Sequence, residues 1–192
     1  MIRWLTLYAR SRQVPAAAAA VTLTALLVWA LDRGEGNGSM GLGIAALVLT
    51  ANVAAASVGL GGQDAALDRT AAIRWMPRRA AHVLLIGAVA GAALLAVQAA
   101  GTTLAPAALV VRDSAGLVGL AALGAVLCGA PFAWTLPTGW LAFALLTPVP
   151  GGAVGEVVGW MILPAGTAVS TGTAWALLAT GTVLYATAGP RR

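Results

Sequence analysis

The sequence contains no lysine, because all eleven of its basic residues are arginines. A P-loop contacts phosphate through a lysine, and Schiff-base catalysis needs a lysine amine, so both are excluded. The single cysteine, Cys128, cannot form an internal disulfide. The single histidine, His82, has no partners spaced for a metal site. No Gly-x-Ser-x-Gly motif occurs, and Asp64 and Asp68 lack the third carboxylate of a metal-assisted phosphotransferase. The sequence therefore predicts a protein that is not an enzyme.

Charge is also scarce. Only 9% of the 192 residues are charged and 60% are hydrophobic, whereas a soluble domain carries roughly 25% charged residues. The composition therefore predicts an integral membrane protein. A spanning helix takes about 20 residues, so six spans would use roughly 120 of the chain. No second domain fits in the remainder, and residues 1–192 are expected to form a single transmembrane domain.

Polar breaks divide the chain into apolar segments and predict an all-α, polytopic membrane protein with about six spans. All arginines except Arg33 and Arg112 fall on one side of this map, which favours a cytoplasmic (inner) membrane location with both termini cytoplasmic. Arg112 and Asp113 are placed outside, because the 32 residues from 80 to 111 are too few for two crossings of about 20 each. The predicted spans are 14–31, 41–60, 80–100, 114–130, 136–149 and 171–188.

Residues 1–13 show helical spacing of apolar side chains, with Trp4 beside them and Arg3 and Arg10 on the polar side. This pattern is typical of an interfacial helix that lies on the inner leaflet, so membrane lipid is an expected partner. Nucleic acid is not expected, because no basic face carries interleaved aromatics.

The loop at 61–82 is the longest polar stretch between apolar segments. Asp64, Leu67, Asp68 and Trp75 fall at helical spacing, with aspartates early and arginines late, as the helix dipole favours. The pattern predicts a short helix parallel to the membrane that docks on a soluble partner. The alternative is a solvated connector whose arginines only fix the topology.

The stretch 148–170 is apolar, yet glycines and prolines interrupt it and it contains Glu156. Broken helices at membrane depth are tolerated when protein surrounds them. We expect two short helices that form a re-entrant outer hairpin before the last span, and we assign Glu156 and Trp160 to an outer gate. The alternative for Glu156 is a carboxylate exposed to water at the outer surface.

Taken together, the chain resembles the membrane permease subunit of an ATP-binding-cassette (ABC) exporter of the type-2 permease family, in the small actinobacterial form. The amphipathic N-terminus, the six-span plan and the broken outer hairpin carry the resemblance. Its most specific part is the Asp-x-x-Leu-Asp-Arg-Thr stretch at 64–70, followed by Pro-Arg-Arg at 77–79. The resemblance implies that the loop is a coupling helix seated in a groove of the ATPase. The implied coupling residues are Asp64, Leu67, Asp68, Arg69, Arg74 and Trp75.

The resemblance also implies the rest of the assembly. Separate ABC ATPase subunits would bind ATP and Mg, with no cofactor in this chain. A second permease, identical or homologous, would complete the pathway for an amphiphilic or peptide-like substrate. A secondary carrier is the alternative, although the predicted spans hold almost no ionisable residues for ion coupling. A non-transporting membrane scaffold or immunity partner is a further alternative.

Overall fold

The computed structural model describes residues 22, 24, 38–61, 75–101, 104–148 and 151–191. Three predicted features lie outside these residues: the interfacial helix at 1–13, nearly all of the first span at 14–31, and residues 62–74 of the coupling loop.

Within the described residues the fold consists of helices, with no strand, and the all-α prediction is confirmed at that level. The helices are α1 Gly38–Ser57, α2 Trp75–Ala99, α3 Ala107–Leu127, α4 Thr135–Leu146, α5 Ala153–Val158 and α6 Ala168–Ala188. Short turns of 3-10 helix at Val58–Leu60 and Ala130–Phe132 extend α1 and precede α4.

Among the described residues, three segments are long and apolar enough to cross a membrane: Gly41–Leu60, Trp75–Ala99 and Ala107–Leu127. The predicted fifth span is α4, whose 12 residues extend only about 18 Å against a hydrocarbon core of about 30 Å. The predicted last span is α6, which has 21 residues, but its threonines lower the hydrophobicity of the helix. The length and composition of the helices therefore support a membrane protein without establishing six spans.

The helices α1, α3 and α6 run in one direction and α2 runs in the other. At one end, the Tyr185 hydroxyl of α6 donates a hydrogen bond to the Leu60 carbonyl after α1 (2.6 Å). There too, the amide of Arg191 donates to the Ala125 carbonyl of α3. We name this the basic end, because it carries Arg78, Arg79 and Arg191. The opposite end, where the segment 151–167 packs against the start of α3, is the hairpin end.

The central element is α3, which packs against α1, α2, α4 and α6. Glycines let α6 approach it closely: a Cβ on Gly119 would collide with the backbone of Leu177, and one on Gly181 with the Gly119 carbonyl. Close backbone approach through small residues is how membrane helices gain packing energy, since lipid offers no hydrophobic driving force between them. The core around α3 includes Leu49, Val53, Val83, Leu94, Leu117, Val118, Trp160 and Met161.

Two predicted boundaries require correction. The third span was expected to begin near residue 80, but α2 begins at Trp75 and includes Arg78, Arg79 and His82. Pro77 lies in its first turn, where amide hydrogens have no acceptor within the helix. The missing amide hydrogen of proline therefore costs no helical hydrogen bond. The fourth span was expected at 114–130 after an external Arg112–Asp113 connection. Instead α3 begins at Ala107 and buries both residues. Their burial is tolerated because the two charges are paired with each other inside the protein.

The region 148–170 also differs from the predicted pair of short helices. From residue 151 onward, where the structure describes it, it contains one six-residue helix, α5, followed by irregular turns until α6 begins at Ala168. Gly159 ends α5, and Pro164 has no amide hydrogen with which to continue a helix. Gly152 precedes α5 with φ 79°, a left-handed conformation that favours glycine.

Candidate functional site

The most unusual polar group in the described residues is an ion pair inside α3. The Arg112 Nε donates to Asp113 Oδ1 at 2.8 Å, and the two side chains are 3% and 0% exposed. Charged residues are almost never fully buried unless they are paired. Both residues lie in the second turn of a helix that is apolar enough to cross a membrane. An ionisable residue in such a helix is a functional candidate by default.

Arg112 also connects α3 to a distant part of the chain. Its Nη1 donates to the Pro164 carbonyl at 3.0 Å, and its Nη2 donates to the Leu163 carbonyl at 2.8 Å. These carbonyls lie in the irregular turns before α6, and the Pro164 carbonyl also accepts the Thr167 hydroxyl at 2.8 Å. Hydrogen bonds from a charged group are roughly twice as strong as neutral ones. Arg112 therefore fixes the position of the 151–167 segment on α3.

Two buried polar atoms, one on α3 and one in the 151–167 segment, have no hydrogen-bond partner among the described residues. They are the second carboxylate oxygen of Asp113, Oδ2, and the indole nitrogen of Trp160, Nε1. An unpaired buried polar group costs about 1–3 kcal/mol. The Asp113 oxygen is therefore an unmet acceptor and the Trp160 nitrogen an unmet donor inside the protein.

The two predicted gate residues occupy different environments. Trp160 is fully buried, and its ring covers the backbone of Gly116, near the middle of α3. Glu156 is half-buried, and its backbone carbonyl accepts the Ser170 hydroxyl at 2.9 Å. The segment is also attached to α4, because the Trp140 indole donates to the Val158 carbonyl (3.0 Å). Three helices, α3, α4 and α6, therefore hold the 151–167 segment.

Of the predicted coupling residues, only Trp75 is described, and it is the first residue of α2. The guanidinium of Arg78 lies 5.9 Å from the centre of its ring, a cation–π distance. The coupling residues outside the described part of the chain are Asp64, Leu67, Asp68, Arg69 and Arg74, as are Arg3, Trp4 and Arg10 of the interfacial helix.

Both ends of the coupling loop lie at the basic end and are attached to the bundle there. Before the loop, the Leu60 carbonyl accepts the Tyr185 hydroxyl. The Gly59 carbonyl lies 3.2 Å from Nε2 of His82, two turns into α2. The chain is therefore joined to α6 and α2 where the predicted loop leaves, and it returns directly into α2 at Trp75.

The Arg112–Asp113 site was missed in the sequence, which predicted these residues as an external connection. A signal was present: Leu109, Val110 and Val111 precede the pair and an apolar run follows it. The hydrogen-bonding carbonyls come from residues 51 and 52 positions away, and no local pattern connects such distant positions.

Comparison with known proteins returns no match: no protein-family model matches the chain, and neither a curated protein nor a solved structure does.

Proposed function

We propose that this chain is the permease subunit of an ATP-driven exporter of the ABC type-2 family. It lies in the cytoplasmic membrane with both termini inside and moves an amphiphilic or peptide-like substrate outward. Separate ATPase subunits bind ATP and Mg and supply the energy. A second permease, identical or homologous, completes the transport path.

The observation that carries this proposal is the attachment of the chain just before the coupling loop to α6 and α2, together with the direct return of the loop into α2. A coupling element must pass the motion of an ATPase to the spanning helices, and a loose connector would absorb that motion. Here the Tyr185–Leu60 hydrogen bond joins the start of the loop to α6. Its return is continuous with α2, which begins at Trp75. A displacement of residues 62–74 would therefore move α1, α2 and α6 together.

The 151–167 segment supports an outer gate in the same proposal. It begins and ends at the hairpin end, yet Trp160 covers Gly116 near the middle of α3. A segment that enters the bundle and returns to the same side has the geometry of a re-entrant hairpin. In this proposal Glu156 and Trp160 move when Arg112 releases the Leu163 and Pro164 carbonyls.

The test is co-purification of this chain with a co-expressed ABC ATPase subunit. The double variant Asp68→Arg/Trp75→Ala should reduce the recovered ATPase about tenfold or more, while the permease remains inserted and monodisperse. Trp175→Ala is the matched control, since Trp175 is 48% exposed on α6 and lies away from the loop. If the double variant recovers as much ATPase as the control, the proposed coupling role is wrong.

A secondary carrier is the second candidate, and one observation favours it. The sequence predicted almost no ionisable residues in the spans, whereas Arg112 and Asp113 are buried in α3. Intramembrane carboxylates are typical of ion-coupled carriers. In proteoliposomes without ATPase, a carrier would accumulate substrate under a proton or sodium gradient, and Asp113→Asn would abolish that accumulation. Transport only with ATPase and ATP would support the exporter. Transport under neither condition would favour a scaffold or immunity partner.

A further inference from the structure

The basic end carries a cluster of cations that the coupling role does not use. Arg78 and Arg191 are exposed and Arg79 is half-buried. The Arg79 guanidinium lies at the C-terminus of α6, where a Cβ on Gly189 would be 2.8 Å from its Nη1. Arg191 is two residues further on, and its Nη1 donates to the Leu127 carbonyl at 3.2 Å. Contacts between α2, α3 and α6 therefore bring Arg79 and Arg191 to the same end of the bundle, and Arg78 directly precedes Arg79 on α2.

No carboxylate among the described residues offsets this charge. The described acidic residues are Asp113 and Glu156, and both lie at the hairpin end. The guanidinium of Arg78 lies over the ring of Trp75, and tryptophan is enriched where a membrane meets water. The surface is therefore complementary to an anion located at the level of the lipid headgroups.

The face of α2 above the cluster is apolar and uncovered. Leu85 and Val89 follow Arg78 by seven and eleven residues, so all three share one side of the helix. They are 57% and 47% exposed. At 1.5 Å per residue, Leu85 lies about 10 Å from Arg78 along the helix axis. A cationic site at one level and an apolar stripe beginning about 10 Å away match the headgroup and acyl chain of a phospholipid.

We infer that the basic end is a binding site for an anionic phospholipid. Arg78, Arg79 and Arg191 bind its phosphate, and its acyl chain lies along Leu85 and Val89. Arginine suits this role because its planar guanidinium can donate two hydrogen bonds to one phosphate. A soluble protein such as an ATPase would reach the arginines but would not extend along the apolar face of α2. A lipid therefore explains both the cluster of arginines and the uncovered apolar face of α2.

The test measures retention of phosphatidylglycerol by the purified full chain, using native mass spectrometry, with phosphatidylcholine as the neutral comparison. The wild type should retain phosphatidylglycerol preferentially. Each basic residue near an anionic membrane contributes about fivefold in affinity, so Arg78→Gln/Arg79→Gln/Arg191→Gln should weaken retention roughly hundredfold. The matched triple lysine variant keeps the charge and should retain most of the preference. Far-UV circular dichroism of both variants checks that the helices remain.

Three results would overturn the inference. The glutamine variant could retain phosphatidylglycerol as the wild type does, which would remove the arginines from the site. Glycerol phosphate alone could bind as tightly as the lipid, which would make this a site for soluble anions. Finally, the glutamine variant could keep its lipid and lose its ATPase, which would make the surface a protein-docking site. The lipid measurement needs no ATPase, so its failure is distinguishable from failure of the exporter proposal.

Discussion

Gly119 of α3 and Gly181 of α6 face each other where the two helices cross, and neither position has room for a Cβ. The obstacles are backbone atoms: the Leu177 carbonyl for Gly119 and the Gly119 carbonyl for Gly181. Backbone cannot rotate out of the way as a side chain can. The crossing therefore depends on both glycines.

Alanine at either position should destabilise the protein. We expect Gly119→Ala and Gly181→Ala each to lower the free energy of unfolding by about 1–3 kcal/mol, the usual cost of overpacking. The measurement is denaturant unfolding in detergent, followed by circular dichroism. Gly172→Ala on α6 is the control, because a Cβ there meets nothing within 4 Å and alanine is the better helix former. Equal losses in all three variants would mean that the crossing is not specific.

Tyr185→Phe should also destabilise the protein, since it removes the donor to the buried Leu60 carbonyl and keeps the ring. An unpaired buried acceptor costs about 1–3 kcal/mol. Thr180→Val is the control, because the Thr180 hydroxyl is exposed and bonds only within its own helix. The readout is the same unfolding curve. Amide hydrogen exchange near Leu60 should rise in Tyr185→Phe, and protection equal to that of the control would contradict the role given to this bond.

Removing one partner of the buried ion pair should cost more than removing both. Arg112→Gln leaves the Asp113 carboxylate without its cation, and we expect a loss of about 3–5 kcal/mol in unfolding free energy. The double variant Arg112→Gln/Asp113→Asn removes both charges and should recover part of that loss. A double-mutant cycle measures the coupling. Additive losses would mean that the two side chains do not stabilise each other.

The predicted orientation can be tested with the native cysteine. Cys128 is exposed at the basic end, which is predicted to be cytoplasmic. It should therefore react with an impermeant thiol reagent only after the cells are permeabilised. In a Cys128→Ala background, a cysteine at Ala108 should react in intact cells, because Ala108 is exposed near the hairpin end. The reverse pattern of labelling would invert the predicted topology.

Hydrophobicity predicted the helices better than it predicted the site. The second predicted span, 41–60, coincides with α1 and its 3-10 extension. An uninterrupted apolar run leaves little choice of where the helix begins and ends. The sequence predicts the starts of α2 and α3 too late in the chain, because charged residues usually lie at a surface and the charges here belong to the helices. Arg112 shows why this fails: its acceptors are carbonyls of Leu163 and Pro164, and a backbone carbonyl has no signature in the sequence. The sequence did not predict the Gly119–Gly181 crossing either. Many other glycines among the described residues make no close contact, so a glycine alone does not indicate a helix crossing.

The distance along the chain between Arg112 and its acceptors has a consequence for synthesis. Arg112 enters the membrane 51 residues before Leu163, which at 5–20 residues per second is an interval of roughly 3 to 10 s. Throughout that interval its guanidinium has Asp113 as a partner but not the two carbonyls. The helix α3 also lacks α6, its closest neighbour. The centre of the bundle is therefore assembled last, and a chain that stalls before residue 163 leaves a charged helix for the quality-control machinery of the membrane to recognise.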